Sequence, residues 1–388
     1  MNKFHKDLTT GLRVISTVLV LTVISCTSST PGTTYMYIGS YASSDHPGIY
    51  VFSYDEKNLQ LNEIQRLAGH TNPNFLAIHP TAPYLYAVNE TIDDQGNNKG
   101  LVTAFSIKEE TGELNFLNKQ STMGKHPCHV SVLPGGSHVV VANYNSGNVT
   151  LLPVESDGSP GTATSVFQHE GSGPVQSRQA APHAHSVFPF PDGEYVFSAD
   201  LGIDKVMIYR VDRKNGELIP NEAAPWAEMP PGSGPRHLDF HPDGRWIYVI
   251  NELNSTVTLL DFNQNTGEVS VLESITTLPP GWEGNNSCAD IHVHPSGKFL
   301  YASNRGHNSI ALFRIEKDGR IKPSGHEPVR GETPRNFCID PKGKRLFVAN
   351  QRSGNITIFD IDQRTGTLTF TGKELHVDRP VCIKFLSD

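Results

Sequence analysis

The chain is poor in sulfur: of 388 residues only 5 are cysteine and 5 are methionine. Apart from Cys26, the cysteines are Cys128, Cys288, Cys338 and Cys382, and they form neither a CxxC pair nor a Cys/His zinc spacing. Each lies in or beside an apolar run, so small buried hydrophobes are expected rather than a disulfide framework or a metal site. Charge is also sparse. Charged residues make up 19% of the chain, and the formal net charge is −8, so the basic field of a nucleic-acid binder is absent. No GxSxG elbow or other nucleophile motif is present, which argues against an acyl-enzyme. Beyond the N-terminal segment no stretch of useful length carries a helical period.

That N-terminal segment reads as an export signal. Lys3, Lys6 and Arg13 precede the apolar run Val14–Ile24, which is too short to span a bilayer stably. Val23-Ile24-Ser25-Cys26 resembles a bacterial lipobox, in which the cysteine is lipidated and becomes the mature N-terminus. Thr27–Thr34 is a polar stretch containing Gly and Pro, suited to a tether. The expected organisation is a signal peptide over 1–25, a tether over 26–33 and one folded domain over 34–388. Lipidation at Cys26 would place the protein in the cell envelope. Removing residues 1–25 leaves 29 basic and 39 acidic residues.

What the chain has in abundance is a repeat. Six copies of one unit occur: x-Pro-x or its equivalent, a short apolar strand, a Pro-x-Gly type turn, a second apolar strand, then Asn or Asp. The closing residues are Asn89, Asn143, Asp200, Asn251, Asn304 and Asn350, spaced 54, 57, 51, 53 and 46 residues apart. Each is followed by a third β-branched run and a polar Gly-containing hairpin, so each period is one four-stranded propeller blade. A seventh blade is split. Tyr35–Tyr41 and Gly48–Tyr54 read as its second and third strands, and Arg379–Leu386 supplies its missing first strand. The prediction is an all-β, seven-bladed β-propeller whose ring is closed by the C-terminal strand joining the N-terminal blade.

In such a fold the residues just before the first strand and just after the second ring one mouth of the central channel. The positions concerned hold His183, His185, Arg236, His237, Glu252, Arg305, Arg335 and Asn336, with Glu90, His126, His129, Asn143 and Asp200 in the same zone. Three arginines converging there make a local anion site within an acidic protein. The bland alternative is that the arginines brace the ring through carboxylates on neighbouring blades. His183-Ala-His185 could share a strand face as metal ligands, but its neighbours are mostly cationic, and a histidine acid or base fits better. His79, His241 and His294, next to prolines at the opposite face, read as turn residues.

At PHAHSV (182–187), GPRHLDFHPDG with NE following, ASNRGHNSI and TPRNFCIDPKG with VANQ following, the chain resembles the propeller lactonase family. That family includes bacterial 6-phosphogluconolactonases and fungal carboxy-muconate cyclases, and the resemblance covers essentially the whole mature chain. It implies hydrolysis of a sugar δ-lactone without cofactor or metal. By motif, the catalytic candidates are His183 or His185, Arg236, Glu252 and Arg305. Of the other mouth residues, Arg335 is expected to hold a carboxylate or phosphate of the substrate, and His237, Asn143 and Asn336 to bind it as well. An arginine would hold the oxyanion while Glu252 or a histidine activates water. A phosphorylated cytosolic substrate fits poorly with an export signal, so an unphosphorylated aldonolactone is at least as apt. A small-molecule lactone, a lipid anchor at Cys26 and a monomer or weak dimer complete the expectation. A non-catalytic envelope scaffold, a muconate-type lyase or cycloisomerase and a calcium-dependent lactonase remain alternatives.

Overall fold

The computed structural model describes residues 34–91 and 100–386, together with Met1. The expected signal peptide and tether, Cys26 among them, lie outside the described residues. Seven antiparallel sheets follow one another along the chain. The first blade holds β1 (Thr34–Ser40), β2 (Ile49–Asp55) and β3 (Gln60–Leu67). The second holds β4 (Pro73–Ile78), β5 (Tyr84–Asn89), β6 (Leu101–Ile107) and β7 (Leu114–Ser121). The third holds β8 (Pro127–Val132), β9 (His138–Asn143), β10 (Asn148–Pro153) and β11 (Ser165–Gln168). A one-turn helix, α1 (Gln176–Gln179), interrupts the passage to the fourth blade. That blade is β12 (Ala184–Pro189), β13 (Tyr195–Asp200), β14 (Lys205–Asp212), β15 (Glu217–Pro220) and β16 (Trp226–Glu228), the last pairing with β14. The fifth is β17 (Pro235–Phe240), β18 (Trp246–Asn251), β19 (Thr256–Asn263) and β20 (Glu268–Thr276). The sixth is β21 (Ser287–Val293), β22 (Phe299–Arg305), β23 (Ser309–Ile315) and β24 (Ile321–Pro328). The seventh is β25 (Pro334–Ile339), β26 (Arg345–Asn350), β27 (Asn355–Ile361) and β28 (Leu368–His376).

The last strand, β29 (Pro380–Leu386), pairs antiparallel with β1 and completes the first blade. The chain is thus an all-β, seven-bladed propeller closed by its C-terminal strand, as the repeat predicts. Closure removes the open edge that β1 would otherwise present.

The local reasons are visible in the repeat. Polar turns between third and fourth strands are built on Asp or Asn: Asp212 Oδ1 accepts from the backbone of Lys214 and Asn215, and Asp362 Oδ1 from Arg364 and Thr365. The apolar faces have nowhere to go but against the next blade, so the core is divided among the blade interfaces. Polar staples recur at the same seams. The hydroxyls of Tyr37, Tyr86, Tyr248 and Tyr301 donate to Gly112, Gly158, Gly319 and Gly366 carbonyls on the following blades. His79, His241 and His294 are turn residues, and each also donates from Nε2 to the turn glycine of the next blade, at 3.1, 2.9 and 2.7 Å. All four cysteines of the propeller are unpaired, and Cys128, Cys288 and Cys382 are buried.

Candidate active site

One irregularity places the site. In every blade the first strand slips register against the second at its start, leaving an extra residue there. The bulged positions include Asn74, Cys128, His185, Arg236 and Arg335, and in the sixth blade the bulge spans Ala289–Asp290. A bulge re-aims its side chain out of the sheet's alternation, here at the channel mouth. The lead-in is equally regular. Asn72, His126, Gly234, Thr333 and Arg379, each preceding the strand's proline, all have left-handed φ, from 41° to 62°. At Thr333, which is β-branched, that conformation is strained, and it directly precedes the segment carrying Arg335. A second ring comes from the residue next after Ser40 and after each closing Asn or Asp of the second strands: Tyr41, Glu90, Tyr144, Leu201, Glu252, Arg305 (the last residue of β22) and Gln351.

Glu252 is the centre of the first cluster. Its Oε2 lies 3.0 Å from Arg236 Nε and 2.8 Å from Arg305 Nη2, while Oε1 accepts from Arg178 Nη2 at 2.7 Å. Burial alone would raise its pKa, but Arg305, Arg236 and Arg178 outweigh that and hold the carboxyl well below the usual carboxylate range. Burial, with the like charges of Arg305 and Arg335, draws Arg236 down to about 10, so it remains a cation at neutral pH. Burial and the positive charge of Arg236 keep His185 neutral, with Nε2 3.9 Å from Glu252 Oε2. Arg236 Nη2 and Arg305 Nη1 make no hydrogen bond within the described residues.

His183 adjoins this cluster through Tyr144. The two rings stack at 4.5 Å, and His183 Nδ1 lies 3.0 Å from the Tyr144 carbonyl oxygen. A carbonyl only accepts, so Nδ1 carries a proton, and in the uncharged ring Nε2 is then the nitrogen with the lone pair. Tyr144 also accepts from Arg178 Nη2 at 3.3 Å.

Arg335 heads a second cluster. It donates from Nη2 to Tyr41 Oη at 3.1 Å; Tyr41 donates to Glu90 Oε2 at 2.5 Å, and Asn74 Nδ2 bonds the same oxygen. Burial and the Glu90 carboxylate raise the Tyr41 pKa to about 12 despite Arg335. Arg335 has no carboxylate in ion-pair contact among the described residues.

The remaining sequence candidates are engaged elsewhere. His237 donates from Nδ1 to Asp290 Oδ1 at 2.7 Å and turns Nε2 to Arg236 Nη1 at 3.2 Å, so both ring nitrogens are occupied. Asn336 donates to Asp290 Oδ2 at 2.5 Å and accepts from the Ile383 backbone at 2.8 Å. Asn143 bonds Thr122 O and Thr150 Oγ1, a bracket that Asn350 repeats with Val329 O and Thr357 Oγ1. His237 and Asn336 thus brace the mouth, whereas Asn143 keeps a buried Oδ1 with no partner among the described residues. Asp200 is closed off with His169 and Tyr209, and its Oδ1 accepts from the His183 backbone.

Arg178, Asp290, Tyr41 and Tyr144 escape sequence reasoning. Arg178 lies on α1, outside the repeat, and only the length of its loop marks it. Asp290 is a carboxylate within the first strand of its blade, between the apolar Ala289 and Ile291. Among the described residues no group of three or more His, Cys, Asp or Glu side chains is placed to hold a metal ion. Glu252 is enclosed by arginines, which repel cations.

Residues 35–385 match the family described as lactonase, seven-bladed β-propeller. The chain belongs to that family. It is 37% identical to a 6-phosphogluconolactonase of Bacillus subtilis over 90% of this chain and 97% of the relative. A 6-phosphogluconolactonase of Formosa agariphila is 36% identical over 88% of this chain and 97% of its own. The solved structure of a periplasmic gluconolactonase from Pseudomonas aeruginosa superposes with a TM-score of 0.84 at 31% identity, covering 91% of this chain and 99% of that one.

Proposed function

We propose that this propeller hydrolyses the δ-lactone of an unphosphorylated sugar acid, at the channel mouth and outside the cytosol. The observation that carries the reading is His183, whose Nδ1 is bonded to the Tyr144 carbonyl and whose Nε2 has no partner among the described residues, beside a buried arginine cluster whose carboxylate is already saturated. His183 Nε2 takes a proton from water as the water oxygen attacks the lactone carbonyl. Arg305 and Arg236 hold the oxyanion through their unspent N–H groups. The ring C–O bond then breaks, and the imidazolium returns the proton to the departing alkoxide, giving the open hydroxy acid. Glu252 is a poor base, because arginines occupy both its oxygens and lower its affinity for a proton; it positions Arg236 and Arg305 instead.

The second cluster supports the choice of substrate. Arg335 is coupled through Tyr41 to the Glu90 carboxylate, so that subsite pairs one cation with one anion. Such a pair suits sugar hydroxyls, which donate and accept, better than a phosphate dianion, which Glu90 would repel. The basic leader and the lipobox-like Val23–Cys26 support an envelope location, anchored through a lipid on Cys26.

The test compares hydrolysis of glucono-1,5-lactone and its 6-phosphate by residues 27–388, with and without EDTA, against the spontaneous rates. Chelator-resistant acceleration that favours the unphosphorylated lactone is expected. Preference for the phosphate would overturn the substrate reading, and acceleration of neither would overturn the sugar-lactone reading.

A further inference from the structure

Asp290 touches neither cluster directly, yet it accepts four hydrogen bonds from three blades. It is 2% exposed and sits on the sixth-blade bulge. Oδ1 accepts from His237 on the fifth blade; Oδ2 accepts from Asn336 and the Phe337 backbone on the seventh, and from His292 on its own strand at 3.2 Å. An ionised carboxylate only accepts, so His237 must carry its proton on Nδ1 and present a lone pair at Nε2. That lone pair faces Arg236 Nη1, which also donates to the Ala289 carbonyl at 2.6 Å. Arg236 Nε is held by Glu252. The guanidinium is therefore oriented from both ends, and one end depends on a histidine tautomer chosen two bonds away.

We propose that Asp290 is a positioning residue for the lactonase reaction: by fixing the tautomer of His237 it fixes the plane of the Arg236 guanidinium. The chemistry of the reverse case shows why. An amide at position 290 that turns its NH2 toward Nδ1 moves the histidine proton to Nε2. Two donors, Nε2–H and Nη1–H, then face each other across 3.2 Å, and Arg236 must swing away. A displacement of about 1 Å at an oxyanion donor is enough to cost on the order of 100-fold in rate. The inference rests on the reading of Arg236 as an oxyanion donor. The tautomer itself does not, which makes the two separable.

The experiment uses full-length protein with 15N-labelled histidine, comparing wild type with D290N, H237L and H237Q. Ring nitrogen shifts should show His237 protonated at Nδ1 in wild type and at Nε2 in D290N. On the lactone, D290N and H237L should lose kcat by about 10- to 100-fold with KM little changed. H237Q, whose amide can accept from Arg236 and donate to Asp290, should recover at least part of that loss. Nε2 protonation in wild type, or an unchanged tautomer in D290N, overturns the proposal. Equal losses in H237Q and H237L overturn it as well and leave His237 a packing residue, a result that stands even if D290N fails to fold. A correct tautomer switch with kcat untouched would overturn the role of Arg236 rather than that of Asp290 in setting the tautomer.

Discussion

Arg236 on the fifth blade and Arg305 on the sixth meet the same oxygen of Glu252, at 3.0 and 2.8 Å. Glu252→Gln removes the charge that keeps these cations together while leaving the shape. Breaking a buried ion pair at one partner costs about 3–5 kcal/mol, and the arginines would separate. Loss of lactone turnover together with a lowered urea midpoint is the expected outcome. Full activity in E252Q would show that the cluster only braces the ring.

His183 is expected to be the base. His183→Ala should lower kcat by about 10²–10⁴ with little effect on stability, because the ring is only half-buried. His185→Ala should lower activity by less. The reverse order would move the base to His185.

Stability should fall at alkaline pH for a specific reason. Burial opposes the charge on His292, but Asp290 and Asp239 together overcome it and raise the pKa from 6.5 to about 10. A histidine with a raised folded pKa stabilises fully below its unfolded value and loses that contribution as pH rises through the folded one. Urea midpoints measured between pH 6 and 10.5 should therefore decline toward the top of the range in wild type. In H292F the decline should be smaller.

Ring closure by β29 should be all-or-none. The strand pairs with β1 through Cys382 and Ile383, both buried. Deleting the residues from Arg379 onward exposes the edge of β1 and opens the ring. Loss of the cooperative thermal transition is expected; a folded and merely less stable product would contradict the closure argument.

The anchor is tested separately. With Cys26→Ser, incorporation of labelled palmitate in a bacterial host should vanish and the protein should leave the membrane fraction. Retention of the label would place the lipid elsewhere.

The fold was legible because a propeller repeats its instructions. Alternating apolar runs, Pro-x-Gly turns and closing Asn or Asp residues recur at blade spacing, and local turn chemistry sets each hairpin. The unpaired Arg379–Leu386 run could go in only one place. The mouth was legible for the same reason, since residues at equivalent repeat positions must share one end of the channel. Arg236, Glu252, Arg305 and Arg335 were found that way. Arg178 was not, because it lies on an insertion that obeys no repeat. Tyr41 and Tyr144 passed as ordinary aromatics although they occupy the same position after the second strand as Glu90 and Glu252.

What the sequence determined alone is therefore the periodic part: strand order, seven blades, the closing strand and which residues ring the mouth. What only the tertiary structure decided is how those residues divide their hydrogen bonds. A side chain's free valence depends on partners contributed by other blades. Asp290 occupies His237 and Asn336, Thr122 and Thr150 occupy Asn143, and the Tyr144 carbonyl leaves His183 Nε2 open. Those partners lie 7 to 53 residues away in sequence, and no local pattern encodes which donor meets which acceptor.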